Sequence, residues 1–284
     1  MPATERTVLI TGATGQQGGA TVRALAGKGF KLRAMTRKPQ GAAAQALAKL
    51  GAEIVAADLD DAESLGRALG GAWGVFSVQN TWEAGVEREE EQGKRLARLA
   101  REKGVQHFVY SSVASAQRKT GIPHFDNKWR VEETVRALKF RSHVILRPVF
   151  FMENLPSPWF LNGDKLVTAM KPATSLQMIA VEDIGRFGAR AFTHAAEMNG
   201  REIDIAGDAA TMPQAAAALS KGLGRTIEFV PIPIAEVLKN SEDFAIMLEW
   251  FERVGYNADI AGLTRDYGIQ LTKLDQWVAK NVRA

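Results

Sequence analysis

The stretch Thr7-Val8-Leu9-Ile10-Thr11-Gly12-Ala13-Thr14-Gly15-Gln16-Gln17-Gly18 decides the fold. Thr7 to Thr11 is a short apolar, β-branched run that reads as a buried strand. The glycines after it have the spacing GxxGxxG, and residues 17–27 continue as a helix broken by Gly27 and Gly29. Each glycine has its own physical reason. Gly12 permits the sharp turn out of the strand. Gly15 lets the backbone approach a pyrophosphate with no Cβ in the way, and Gly18 lets the helix lie close to the sheet. The helix start then offers free N–H groups and about half a positive charge to an anion. Gly12, Thr14, Gly15, Gln16, Gln17 and Gly18 are therefore candidate phosphate-cradle residues. A tight turn that binds nothing would use the same glycines. The position of the loop, after the first strand and at the head of a βαβ unit, favours the anion site.

Working outward, strands and helices alternate. Lys31 to Thr36 is the second strand, ended by Pro39, and the Ala-rich residues 41–50 are helical. Glu53 to Ala57 is the third strand, residues 61–69 a helix, and Trp73 to Val78 the fourth strand. Residues 84–103 read as one long helix with an apolar stripe (Leu96, Leu99, Ala100), closed by Gly104. Its charged residues Glu87, Glu89, Glu90, Glu91, Lys94 and Arg95 read as a solvated face. His107 to Ser111, helix 126–138 and strand Ser142 to Leu146 complete six strands. That alternation predicts an α/β, Rossmann-type doubly wound parallel sheet with right-handed crossovers. Residues 1–150 are the expected dinucleotide-binding domain and 151–284 a smaller α+β lobe for substrate or partner, with room for some segments to return to the main sheet. In that lobe residues 181–195, 213–223 and 234–254 read as helices, and 201–206 and 226–232 as strands.

Composition narrows the function. The 284 residues contain no cysteine, which excludes disulfide frameworks, Cys-ligated zinc, iron–sulfur clusters and thiol nucleophiles. The four histidines lack metal-ligand spacing, so no metal is expected. A net charge of +4 over this length suits an anionic ligand more than nucleic acid. No signal peptide or spanning stretch is evident, so a cytoplasmic protein is expected. Hydrolase elbows and P-loop lysines are also missing.

The end of the second strand selects the cofactor. NAD-binding domains usually carry a carboxylate there to hold the ribose 2′-hydroxyl. Here the sequence is Thr36-Arg37-Lys38-Pro39. Arg37 can pair bidentately with a 2′-phosphate, with Lys38 beside it, so NADP(H) is expected in preference to NAD(H). Both cations also suit an ordinary surface. In the loop Asp58-Leu59-Asp60-Asp61, Asp58 and Leu59 are expected against the adenine, with Asp60 as the cap of the next helix. Gln79 and Asn80 end the fourth strand at the same edge. Trp82 either covers the pocket or, as is commoner, packs in the core.

Four stretches together resemble the NmrA-like family of the atypical short-chain dehydrogenase/reductase superfamily: Ile10–Gly19, Thr36–Pro39, His124-Phe125-Asp126-Asn127-Lys128 and Phe151-Met152-Glu153-Asn154. The resemblance runs over nearly the whole chain. It implies NADP(H) binding, with either reduction of quinones or dyes or a redox-sensing role toward a regulatory protein. The superfamily's main branch uses a Tyr with a Lys four residues later. Here that pair reads His124 and Lys128, and none of the three tyrosines has a Lys four residues on. The resemblance assigns Lys128 to the ribose hydroxyls and Ser111 to orienting a carbonyl. Imidazole in general titrates near neutrality, so His124 is a candidate general acid, or else a helix-start residue facing solvent. Beyond the sixth strand, Phe150 is expected to face the cofactor ring, with Asn154 nearby. Phe151, Met152, Leu155, Trp159 and Phe160 are expected to line an apolar cleft or to be plain core.

The leading expectation is an NADPH-dependent reductase of quinone-like or conjugated acceptors, whose proton can come from water. The alternative is a non-enzymatic NADP(H) sensor acting on a regulatory protein. A nucleotide-sugar epimerase loses for want of the Tyr. Either a small apolar substrate or a protein partner suits the cleft, and a homodimer is compatible with the sequence.

Overall fold

The computed structural model describes residues 6–283. Its first half runs β1 (Thr7–Ile10), α1 (Gln16–Leu25), β2 (Lys31–Thr36), α2 (Ala42–Ala48), β3 (Glu53–Ala56), α3 (Ala62–Leu69), β4 (Gly74–Ser77), α4 (Thr81–Ala84), α5 (Val86–Glu102), β5 (His107–Ser111), α6 (Pro123–Ala137) and β6 (Ser142–Pro148). These strands form an all-parallel sheet in the order β3-β2-β1-β4-β5-β6. A seventh strand, Glu202–Ile205, pairs parallel with β6. The α/β doubly wound architecture is thus the one the alternation predicts.

A parallel sheet must be covered on both faces, and β1 shows how. Val8 and Ile10 belong to the core on one side and Leu9 to the core on the other, all three fully buried. On the first face α1 lies against helix Val181–Thr193 at very short range, because Gly185 and Gly188 present no side chain. A Cβ on Gly185 would come 2.6 Å from the Ala20 carbonyl, and one on Gly188 2.9 Å from the Thr21 hydroxyl.

The smaller lobe holds two three-stranded sheets. One joins Phe150–Phe151, Ser175–Ile179 and Asp208–Thr211, and the other Leu161–Asn162, Lys165–Thr168 and Glu228–Pro231. Helices Met212–Leu223, Glu242–Arg253 and Leu274–Asn281 pack over a core that includes Met152, Leu155, Leu219, Trp250 and Trp277. Glu153 ties the start of helix Val181–Thr193 to helix Leu274–Asn281. Its Oε1 accepts from the Val181 N–H at 3.0 Å and from the Trp277 indole at 2.9 Å. Burial pushes its carboxyl above the usual range.

Several boundaries differ from expectation. The helix predicted over 84–103 is α5, and a separate short turn, α4, precedes it across Gly85, which takes φ +83°. The helix predicted over 234–254 is two, Ile234–Leu238 and Glu242–Arg253, because the Ser241 hydroxyl caps the second by accepting the Phe244 N–H. The helix predicted to begin at 126 begins at Pro123, a residue suited to a first turn.

Candidate functional site

In this topology the chain runs from β1 outward to β3 and then returns across β1 to β4. A crevice therefore opens at the carboxyl ends of β1 and β4. The glycine loop sits in it. Thr11 stitches the loop to β4: its hydroxyl accepts from the Val78 N–H at 2.9 Å and donates to the Val78 carbonyl at 3.0 Å. Thr14 approaches Thr36, hydroxyl to hydroxyl, at 3.4 Å. Gly12 has φ +56°, and a Cβ there would meet Val78 at 2.9 Å. A Cβ on Gly18 would fall inside the Thr11–Gly12 backbone, so only glycine seats α1 this close. No side chain caps α1 at Gly15, no acid occupies its first turn, and Gly12, Thr14, Gly15 and Gln16 are exposed. The first N–H groups of α1 are therefore free for an anion.

Around the loop, the predicted residues take varied positions. Arg37 and Lys38 are exposed just beyond β2. Arg37 forms an ion pair with Glu83 of α4. Asp58 and Leu59 are half-buried after β3. Asp58 accepts the Asp60 N–H at 3.0 Å. The expected cap at Asp60 is corrected: Asp61 caps α3, accepting from the Glu63 and Ser64 N–H groups. Asp60 instead binds Arg88, Gln92 and Arg95 of α5, and the Arg88 hydrogen bond leads in holding its carboxyl low. Gln79 is buried, and its Nε2 donates to Ser77 at 3.1 Å while its Oε1 has no partner among the described residues. Asn80 caps α4 by accepting the Trp82 N–H.

At the end of β5, Ser111 is buried and its hydroxyl donates to Gln17 Oε1 at 2.5 Å, joining β5 to α1. Lys128 pairs with Glu89 of α5. Here the reading of Glu89 as a solvated residue is corrected, since it is 1% exposed. It also accepts from Thr81 Oγ1 and from Asn127 Nδ2. Burial alone would push its carboxyl up. The Lys128 charge and the three donors outweigh that and hold it below the usual carboxylate range.

His124 does not face solvent. It is buried in the first turn of α6, and its ring Nδ1 pairs with Asp243 of the smaller lobe. The same carboxylate accepts the His124 backbone N–H at 3.0 Å. With Nδ1 against Asp243, Nε2 is left without a hydrogen-bond partner among the described residues. Trp82 is not core: it is 61% exposed and lies over His124 with centroids 5.3 Å apart. Phe244 meets Trp82 at 6.2 Å, Phe160 at 5.8 Å and Trp159 at 6.4 Å. An aromatic wall thus spans α4, α6 and the smaller lobe. Of the expected cleft residues, Trp159 is exposed, but Met152, Leu155 and Phe160 are buried. Phe150 is also a core residue, edge-on to Phe160, rather than open to the crevice, and Asn154 is half-buried in a short 3-10 turn. Tyr110 lies on the right strand but is fully buried, with a phenol that burial pushes far above its usual range.

These features define a Rossmann-type α/β protein with a glycine-rich turn between β1 and α1 and a histidine–carboxylate pair between α6 and the smaller lobe. The chain belongs to the NmrA-like family, whose sequence pattern matches residues 4–281. It is 37% identical over 164 residues to the NmrA-like family domain-containing oxidoreductase hkm9 of Aspergillus hancockii, covering 54% of this chain and 49% of that protein. The chain thus spans about half the length of that curated relative. Among solved structures it superposes on the NADPH-dependent quinone oxidoreductase QOR2 of Escherichia coli, complexed with NADPH, with a TM-score of 0.79 at 25% identity, covering 96% of this chain and 98% of that one. It also superposes on NmrA, a negative transcriptional regulator in complex with NADP, with a TM-score of 0.78 at 21% identity over 98% and 96% of the two chains.

Proposed function

We propose that the protein binds NADP(H) in this crevice and reduces quinone-like or conjugated acceptors. The observation that carries the reading is the open start of α1 beside Arg37, with no carboxylate on the end of β2. The free α1 N–H groups and Gly12–Gly18 would hold the pyrophosphate, and Arg37 and Lys38 the 2′-phosphate. Asp58 and Leu59 would meet the adenine, and Gln79, with its unpartnered Oε1, together with Asn80 would line the middle of the cofactor. Bound NADPH supplies a hydride, and a quinone that accepts it needs one proton to become the hydroquinone. Lys128, held by Glu89, would meet the ribose hydroxyls. Ser111, held by Gln17, stands at the end of β5 to orient a carbonyl. His124 exchanges protons through Nε2, its other nitrogen being committed to Asp243. The exposed face of Trp82 with Phe244 suits a flat, weakly polar acceptor.

Calorimetric titration with NADPH, NADP, NADH and NAD tests the cofactor. Arg37→Gln is expected to remove the preference for the phosphorylated pair, and a preference that survives this change refutes the assignment. NADPH oxidation with a panel of quinones and dyes tests the reaction. A second reading, a sensor without turnover, has one observation behind it: no phenol stands at the His124 position, and His124, Lys128 and Ser111 are all engaged by protein groups. Tight cofactor binding with no turnover on any acceptor selects it.

A further inference from the structure

Arg37 is not free in this structure. Its guanidinium donates to the Glu83 carboxylate. β1 lies between β2 and β4 in the sheet, so this pair joins the two sides of the glycine loop. Arg37 follows β2 and Glu83 belongs to the α4 turn that follows β4. The Glu83 bond leads in raising the pKa of the guanidinium, and Asp58 and Asp60 add to the negative field on it. A planar guanidinium that already faces a carboxylate has its best anion position filled. Glu83 is also chain neighbour to Trp82, and α4 is only four residues long, ended by Gly85 at φ +83°. Glu83 and Trp82 therefore share one short turn.

We propose that Glu83 is a specificity-determining residue: an internal carboxylate that occupies the anion position of Arg37 and must yield it to the 2′-phosphate. This rests on the assignment of Arg37 to that phosphate. An NAD molecule brings no anion to Arg37 and leaves the pair in place. NADP replaces one carboxylate with a doubly charged group and frees the Glu83 side chain of α4. Phosphate binding at the adenine end thereby reaches Trp82, which covers His124 at the acceptor end. Glu83 lowers the affinity for NADP(H) in this scheme and makes the aromatic wall respond to which dinucleotide is bound.

The test is Glu83→Gln, with Glu83→Ala as a second variant, each titrated with all four dinucleotides. Exposed ion pairs are worth up to about 1 kcal/mol, so NADP(H) binding is expected to tighten by about two- to fivefold. NAD(H) binding is expected to stay as in the parent protein. Equal tightening of all four dinucleotides overturns the proposal, because it makes Glu83 an obstacle to entry. No change in any of them also overturns it, as does selective weakening of NAD(H), which makes Glu83 a ribose-hydroxyl acceptor. If Arg37→Gln leaves the NADP preference intact, the assignment of Arg37 falls first, whatever Glu83→Gln does. As a second readout, adenosine 2′,5′-bisphosphate is expected to change tryptophan fluorescence, and adenosine 5′-monophosphate is not. The change should vanish in Trp82→Phe. A response that persists in that variant overturns the coupling to α4.

Discussion

Two histidines sit at opposite ends of the sheet, each ringed by aromatic side chains. His107 opens β5 at the amino end, stacked on Trp73 at 5.4 Å and edge-on to Phe192 at 5.3 Å. It is fully buried, its Nδ1 is 2.8 Å from the Ser142 hydroxyl, and burial lowers its pKa to about 4. His124 opens α6 at the carboxyl end, between Trp82 at 5.3 Å and Phe125 at 4.8 Å. The difference lies in what else touches each ring. His107 has a hydroxyl partner and a closed apolar wall, so it remains a neutral space-filler. His124 has a carboxylate partner and lies against the exposed Trp82. Aromatic enclosure alone therefore does not mark a site; a carboxylate partner beside an exposed aromatic does.

The largest expected effect that would break this contrast is at the amino end. Phe192→Ala should cost about 3–5 kcal/mol of stability, as for other buried aromatics, and leave the cofactor titration of the folded protein unchanged. Urea denaturation and calorimetry check the two halves. The next effect is pH-dependent. Folded His107 resists protonation until about pH 4, whereas the unfolded ring protonates near 6.5. Stability should be complete above pH 6.5, fall as the pH drops toward 4, and lose roughly 3 kcal/mol on the way. His107→Gln should flatten the profile in that window, as read from urea midpoints at stepped pH. The smallest stability effect is at the carboxyl end. Trp82→Ala should change stability by no more than about 0.5 kcal/mol. It should raise the acceptor KM by about two- to tenfold, the worth of one aromatic contact. A large loss of stability there would erase the distinction between the two clusters.

Much of the frame was legible. β2 and β5 run from Lys31 to Thr36 and from His107 to Ser111 as the sequence predicts, because apolar runs bounded by glycine, proline or a polar end leave few other solutions. The glycine loop was legible for the same reason. The partners of the site were not. Asp243 reaches His124 from 119 residues away, and Glu83 reaches Arg37 from 46. Such separations are set by the packing of the lobes and of α4, not by local pattern. Glu89 did leave a signal that the charge pattern obscured. It stands in helical register with Gln92, Gly93, Leu96 and Ala100, the buried stripe of α5, so its side chain had to point inward.

The glycines of the helix behind α1 have a mechanical consequence. Gly18 seats α1 on the sheet and Gly185 locks it from the rear, so that helix has no slack in either direction. It is the fixed jaw of a vise. If the proposed dinucleotide fills the crevice, movement is expected in the opposite jaw, the single turn between Asn80 and Gly85. In this fold the stiffness of one wall decides which wall can answer to a ligand.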